Sequence, residues 1–284
     1  MRIAIIGLGL IGGSLGLALR KADAGFEVVG FARRPEVASR AFELGAVDRT
    51  ELSLLSAVKG ADLVIISTPA MAMKGILAEM GVGLRQGSIV TDTASTKARV
   101  LDWAKQALPP SVSFIGGHPM AGKEASGVEA ADGDLFRGCN YLLIAGSGAS
   151  EEARDRVAAM VRQIGANPLF MDASEHDSLV AGISHLPLLI SVALVAVTTK
   201  SPLWPEMATL AASGFRDLSR LASGDPLMSR DICLTNREPI IKWIDDYIEE
   251  LRALRYLISE GGEIDRLEEA FIQVRKERER WLRM

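Results

Sequence analysis

The feature that most constrains this chain lies at its start, where the apolar run 2–6 passes directly into Gly7-Leu8-Gly9-Leu10-Ile11-Gly12. A G-x-G-x-x-G between a strand and a helix has a mechanical reading. Gly7 permits a tight turn, Gly9 lets the backbone approach a pyrophosphate, and Gly12 lets the helix lie close to the strand. The helix opens at Leu10 and Ile11, so its first amides face the phosphates. A glycine-rich turn alone can be merely structural; the strand before it and the helix after it make a dinucleotide site the expectation.

The second strand bears on which dinucleotide. About 20 residues past the turn, an NAD site usually carries an acid for the ribose 2′-hydroxyl. This chain instead reads Val28-Val29-Gly30-Phe31-Ala32-Arg33-Arg34. A guanidinium at that place pairs with a 2′-phosphate. The alternative is a pair of ordinary solvated loop arginines. The expectation is NADP as preferred cofactor, with NAD possible.

Along the chain, strands are expected at 2–6, 27–31, 63–67, 88–91, 112–115, 141–144 and near 168–171, with helices over 35–44, 95–107 and 151–164 between them. Near-continuous apolar strands alternating with helices indicate a parallel sheet covered on both faces. From Ala173 the strand-like runs stop, and helical periodicity covers 175–197, 206–212, 226–255 and 263–282, punctuated by Ser213-Gly214 and Gly261-Gly262. The last of these reads as a solvated helix with local ion pairs. The expected fold class is α/β: a Rossmann-type doubly wound, mainly parallel sheet over 1–172, then an all-helical domain over 173–284.

Composition narrows the functional classes. A net charge of −4 gives no basic excess for a nucleic-acid partner. The 2 cysteines, Cys139 and Cys233, have no metal-type spacing, and their scarcity suits a reducing compartment. Glycines interrupt the apolar N-terminus, which argues against a signal peptide. The apolar run 186–197 contains Pro187 and falls short of the roughly 20 residues a bilayer needs, so a buried helix is expected rather than a membrane span. These features together suggest a soluble, cytoplasmic protein without a membrane partner.

In open parallel sheets, ligands sit beyond the carboxyl ends of the strands. Those ends carry Ser67-Thr68-Pro69, then Thr91-Asp92-Thr93-Ala94-Ser95-Thr96-Lys97, then Gly116-Gly117-His118-Pro119-Met120-Ala121-Gly122. Thr68 and Pro69 thereby join the cofactor-binding set, and Ser95 and His118 face the same crevice. A neutral imidazole there can accept a hydroxyl proton as hydride leaves the adjacent carbon, with Ser95 orienting the ring. A histidine in a glycine-rich loop can also serve only to stabilise that loop.

At these residues the chain resembles the prephenate/arogenate dehydrogenase family. The resemblance rests on the 92–97 segment, on 117–122, and on Ser184-His185-Leu186-Pro187. It continues through Gly214-Phe215-Arg216-Asp217-Leu218-Ser219-Arg220, Ser223-Gly224-Asp225-Pro226 and Arg230-Asp231-Ile232, in the family's order. It implies oxidative decarboxylation of a cyclohexadienyl substrate, with hydride passing to nicotinamide and the ring becoming aromatic. By that similarity His118 is the acceptor for the ring hydroxyl and Ser95 assists it. Arg220 holds a substrate carboxylate, His185 faces the substrate, and Glu124 lies at the substrate mouth. A homodimer through the helical domain is implied, and no metal. His176-Asp177 reads as a structural helix start, and Arg216-Asp217 as a structural pair beneath the pocket.

Two positions depart from the family pattern. Leu188 stands where many prephenate-using members have a second histidine, and Ser229 where many have an aromatic residue. Both bring the chain closer to arogenate-using, NADP-linked members. No room is left for a fused chorismate mutase or a regulatory ACT domain, so any tyrosine inhibition is expected at the active site. The rival reading is another two-domain Rossmann dehydrogenase of the 3-hydroxyacid type, which relies on a helical-domain lysine; neither Lys200 nor Lys242 sits in a matching motif. A catalytically silent dinucleotide-sensing protein would keep the glycine turn and lose His118 and Arg220.

Overall fold

The computed structural model describes residues 1–22, 25–123, 125–259 and 264–283. They fall into two units, Met1–Arg237 and Glu238–Met284. The first unit holds the strands β1 (Arg2–Ile6), β2 (Glu27–Phe31), β3 (Arg49–Thr50), β4 (Leu63–Ile66), β5 (Ile89–Asp92), β6 (Ser113–Pro119), β7 (Asn140–Ala145) and β8 (Asn167–Phe170). They form one sheet in the order β3-β2-β1-β4-β5-β6-β7-β8. Neighbours are parallel except the antiparallel pair β6–β7.

Alternation along β1 explains the layers. Ile3 and Ile5 enter one core with α1 (Leu10–Lys21), α2 (Pro35–Glu43) and α6 (Glu151–Gln163). Ala4 and Ile6 enter the other with α3 (Leu54–Val58), α4 (Ala70–Met80) and α5 (Ala98–Ala107). A sheet buried on both faces requires near-continuously apolar strands, which β1 from Ile3 onward and β4 supply. β1 lies between β2 and β4, so the sheet order reverses there. The crevice beyond that switch point is the ligand position of doubly wound sheets.

Three local differences from the sequence expectation matter for the site. β3 is an unexpected strand of only 2 residues, too short to carry a periodic signal. His118 is not in a loop: β6 runs on to Pro119 because β7 pairs His118 with Leu142 and Pro119 with Tyr141. Helix α5 begins at Ala98 rather than at Ser95, where the side chain of Asp177 takes up the amides of Lys97 and Ala98.

From Ala173 the described chain is helical. α7 (Ala173–Val180) passes through a π-helical turn, Ala181–His185, into α8 (Leu186–Thr199). Pro187 does not interrupt this run; it stands directly after the π-helical turn, at the start of α8. The continuous helix Ala173–Thr199 has 27 residues, and its most apolar stretch has a mean hydropathy of 2.2 with only 28% of it buried. The expectation of a short, buried helix is therefore corrected: by length and composition it could cross a membrane, and much of its apolar side is uncovered.

α9 (Trp204–Leu210) and α10 (Ser213–Ser219) come next, so Ser213-Gly214 opens a helix rather than merely breaking one. After the turn Arg220–Ser223 comes α11 (Pro226–Thr235), capped by the Asp225 carboxylate on the amides of Leu227 at 2.7 Å and Met228 at 3.3 Å. Asn236 separates α11 from α12 (Arg237–Ser259), where one uninterrupted helix was expected.

The second unit consists of the remainder of α12 and of α13 (Ile264–Trp281). Local ion pairs line both helices, among them Lys242–Asp246 at 2.8 Å and Arg280–Glu277 at 2.9 Å. Gly261 and Gly262 lie outside the described residues.

Candidate active site

The glycine turn has the steric demands its sequence implied. Gly7 sits at φ 98°, and a Cβ there would stand 2.3 Å from the Ser67 carbonyl oxygen. A Cβ at Gly12 would stand 1.9 Å from the Gly7 carbonyl oxygen. Gly9 differs: a Cβ there meets nothing within 4 Å. The open side of Gly9 faces a cavity of about 540 Å³, lined also by Leu10, Ile11, Thr68, Pro69, Ser95 and, across the cleft, Ser223, Asp225 and Ile232. Thr68 Oγ1 is buried with no hydrogen-bond partner among the described residues, as a hydroxyl reserved for a ligand would be. These residues fit a dinucleotide lying across the start of α1. Arg33 and Arg34 are exposed immediately after β2, beside the end of the strand rather than in the cavity wall.

His118 stands on the last residues of β6 and, against the expectation that it faces this crevice with Ser95, is not among the residues lining the cavity. The neighbouring Gly117 is required, since its Cβ would lie 2.4 Å from the Asp92 carbonyl oxygen at the end of β5. His118 is 8% exposed, and its Nδ1 lies 2.9 Å from His176 Nε2. His176 Nδ1 lies 2.8 Å from Asp177 Oδ1, and His176 is fully buried. Asp177 in turn accepts the backbone amides of Lys97 at 2.8 Å and Ala98 at 2.9 Å. Lys97 is buried, paired with Asp92, and donates from Nζ to the Gly117 carbonyl at 2.6 Å.

Electrostatics follow from this packing. Burial holds the His118 imidazole well below its ordinary 6.5, reinforced by His176, Lys97 and His185. The ring is neutral at neutral pH, the form that can accept a proton. Burial also pushes the Lys97 ammonium down, against the pull of Asp92. Ser95 is half-buried and lines the cavity, yet among the described residues it makes no hydrogen bond to His118. The bond that orients the ring comes from His176.

His185 closes the π turn, 1% exposed, rather than lying within a regular helix. Asn236 Nδ2 donates to the Asp177 carbonyl at 2.7 Å and meets His185 Nδ1 at 3.2 Å. The amide is the donor there, so His185 Nδ1 accepts and its Nε2 carries the hydrogen. That Nε2 is buried with no hydrogen-bond partner among the described residues. Burial lowers His185 to about 4, so the ring is neutral and presents one unmet N–H.

Arg220 is exposed at the head of the turn Arg220–Ser223 and is not among the residues lining the cavity. Glu124 lies outside the described residues. Arg216 and Asp217 are both exposed and form no ion pair among the described residues, which corrects their expected role as a pair beneath the pocket. The sequence reading missed His176, Asp177 and Asn236 as parts of the site. One signal was available: the chain has 3 histidines in all, and each of them is buried in this cluster.

Comparison with known proteins bears on these features. Residues 15–169 match the family model described as prephenate dehydrogenase, nucleotide-binding domain, and residues 172–273 the one described as prephenate dehydrogenase, dimerization domain. The prephenate dehydrogenase of Bacillus subtilis is 39% identical over 264 residues, covering 92% of this chain and 71% of the relative. The Synechocystis arogenate dehydrogenase structure aligns with a TM-score of 0.84 at 30% identity, over 99% of this chain and 100% of that one. The structure of prephenate dehydrogenase from A. aeolicus in complex with hydroxyphenyl propionate and NAD+ aligns with a TM-score of 0.91 at 29% identity, over 99% and 98%. With the glycine turn, the histidine on the β6 strand and both family models in one continuous chain, this protein belongs to the prephenate dehydrogenase family.

Proposed function

We propose that the enzyme prefers NADP to NAD, and that His118 is the group that accepts the proton of the substrate's ring hydroxyl. As a member of its family the chain is an oxidoreductase. It carries out the NAD(P)-dependent oxidative decarboxylation of prephenate or arogenate in tyrosine biosynthesis. The bound nicotinamide supplies the hydride acceptor. Aromatisation and release of carbon dioxide provide the driving force, so the protein's work is to position the ring and hold its proton.

One observation carries the assignment of His118: a neutral, buried imidazole on the last residues of β6, with Nδ1 already bonded to His176. Its other nitrogen is left for a ligand. Ser95, on the cavity wall, assists at the same hydroxyl. The unmet N–H of His185 suits an acceptor oxygen of the substrate, and Arg220 suits a carboxylate. Half-buried Leu188 replaces a polar contact used for prephenate, which favours arogenate. The preference for NADP rests on Phe31 ending β2 without an acid and on Arg33 and Arg34 just after it.

The dimerization domain of the family model supports a homodimer here, formed through the helical region 173–284. Both described cysteines are free thiols, in keeping with a cytoplasmic location.

Steady-state kinetics on prephenate and arogenate, each with NADP and NAD, test the reading. His118→Asn is expected to bind dinucleotide normally and to lose about 10²–10⁴-fold in kcat, the usual span for a general base. Normal turnover in that variant would refute the assignment. Replacing Arg33 and Arg34 by alanine is expected to cut kcat/KM for NADP by about 10–100-fold, the value of one or two charge-assisted hydrogen bonds. An equal loss with NAD would refute the 2′-phosphate contact.

A further inference from the structure

We propose that His176, anchored by Asp177, is a positioning residue that fixes the tautomer of His118 and accepts the Nδ1 proton of His118 when the substrate's proton arrives at Nε2. The proposal rests on His118 being the acceptor of the hydroxyl proton.

The hydrogen positions are set by working inward along the chain of bonds. Both Asp177 oxygens accept backbone amides, Oδ1 from Lys97 and Oδ2 from Ala98. A carboxylate cannot donate, so the 2.8 Å contact to Oδ1 requires His176 Nδ1 to carry the hydrogen. With its single hydrogen on Nδ1, the His176 imidazole has a bare Nε2. That atom lies 2.9 Å from His118 Nδ1, and two bare nitrogens repel, so His118 Nδ1 is the donor. The hydrogen-free nitrogen of His118 is therefore Nε2, which has no hydrogen-bond partner among the described residues. The network sets His118 in the one neutral tautomer whose lone pair is available to a ligand.

The same geometry provides a place for the proton. The substrate O–H bond breaks, its proton joins His118 Nε2, and the oxygen keeps the electron pair for the new carbonyl. The hydride leaves to the nicotinamide in the established reaction. His118 Nδ1 then passes its own proton to His176 Nε2, which leaves His118 neutral with hydrogen on Nε2 and His176 cationic. Charge thereby moves one ring further. It leaves a buried position near the Lys97 ammonium and reaches one in direct contact with the Asp177 carboxylate. His185 and the Lys97–Asp92 pair are the other titratable groups of this cluster, and His185 is neutral.

Two variants of the full-length protein separate positioning from mere packing, with NMR of ¹⁵N-labelled histidine as the second readout. His176→Gln keeps an acceptor near the place of Nε2, whereas His176→Asn is too short to reach His118. In the unaltered protein, His118 is expected as the Nδ1–H tautomer. His176→Asn is expected to lower kcat about 100-fold, the loss typical of an orienting partner, with KM for the dinucleotide unchanged and His118 in mixed tautomers. His176→Gln is expected to restore most of the turnover and the Nδ1–H tautomer. An Nε2–H tautomer of His118 in the unaltered protein would overturn the proposal, even if the asparagine variant failed to fold. So would unchanged kcat in His176→Asn, or equal losses in both variants with the tautomer preserved. Undiminished turnover in His118→Asn would instead overturn the reading on which the proposal stands.

Discussion

At the scale of single residues, burial acts on titratable groups that the sequence shows only as scattered letters. His185 illustrates the consequence for stability. Its value in the fold is about 4 against an ordinary 6.5, so the unfolded chain takes up a proton first as pH falls. The stability tied to its neutral form is complete above about pH 6.5 and is lost progressively as pH drops toward 4. Between pH 7 and pH 5 this amounts to about 2 kcal/mol. Unfolding free energies from urea titrations at those two pH values are expected to fall further in the unaltered protein than in His185→Gln, by about 2 kcal/mol. Parallel slopes would mean that His185 is not held neutral. That Ser95 lines the cavity beside the turn was legible from its place after a strand; that His176 rather than Ser95 bonds the His118 ring was not. A hydrogen bond between residues 58 positions apart leaves no local trace.

At the scale of elements, the glycine turn was the most legible part of the chain, because its steric requirements are local. Gly9 and Gly12 allow those requirements to be tested separately. Gly12→Ala forces a Cβ into the Gly7 carbonyl, so both stability and dinucleotide affinity are expected to fall, stability by more than about 2 kcal/mol. Gly9→Ala places its Cβ in open space, so stability is expected within about 0.5 kcal/mol of the parent while dinucleotide affinity drops at least tenfold. Thermal melts and fluorescence titration read the two effects. Unimpaired dinucleotide binding by Gly9→Ala would show that the phosphates lie elsewhere. Less legible were the extension of β6 through His118, the start of α5 at Ala98 and the break at Asn236. Each is set by a partner distant in sequence: β7, Asp177 and the His185–Asp177 pair that holds the asparagine.

At the scale of the whole molecule, the uncovered apolar side of Ala173–Thr199 calls for a partner surface. Val192 is 43% and Val197 66% exposed, and Leu203 just beyond the helix is 62% exposed. Exposed large apolar residues along one helix are the material of a contact surface when they join into a patch. With the dimerization domain of the family model over the same residues, a second copy of this chain is the expected cover. Sedimentation velocity at micromolar concentration is expected to show a dimer, and Val197→Glu, which places a charge on that surface, to shift it toward monomer. A monomer in the unaltered protein would refute the homodimer.

The sequence by itself determined the glycine turn, the alternation of strands and helices as far as residue 172, and the helical character of the chain beyond it, because these depend on neighbours within a few residues. Through its motifs it also pointed to the family. Tertiary structure alone decided that the 3 histidines meet, that Asp177 ties α7 to the start of α5, and that the long apolar helix is only partly buried. The physical reason is that tautomer, charge state and burial are properties of a surrounding assembled from distant segments, and none of them exists before the sheet and its helices close around those side chains.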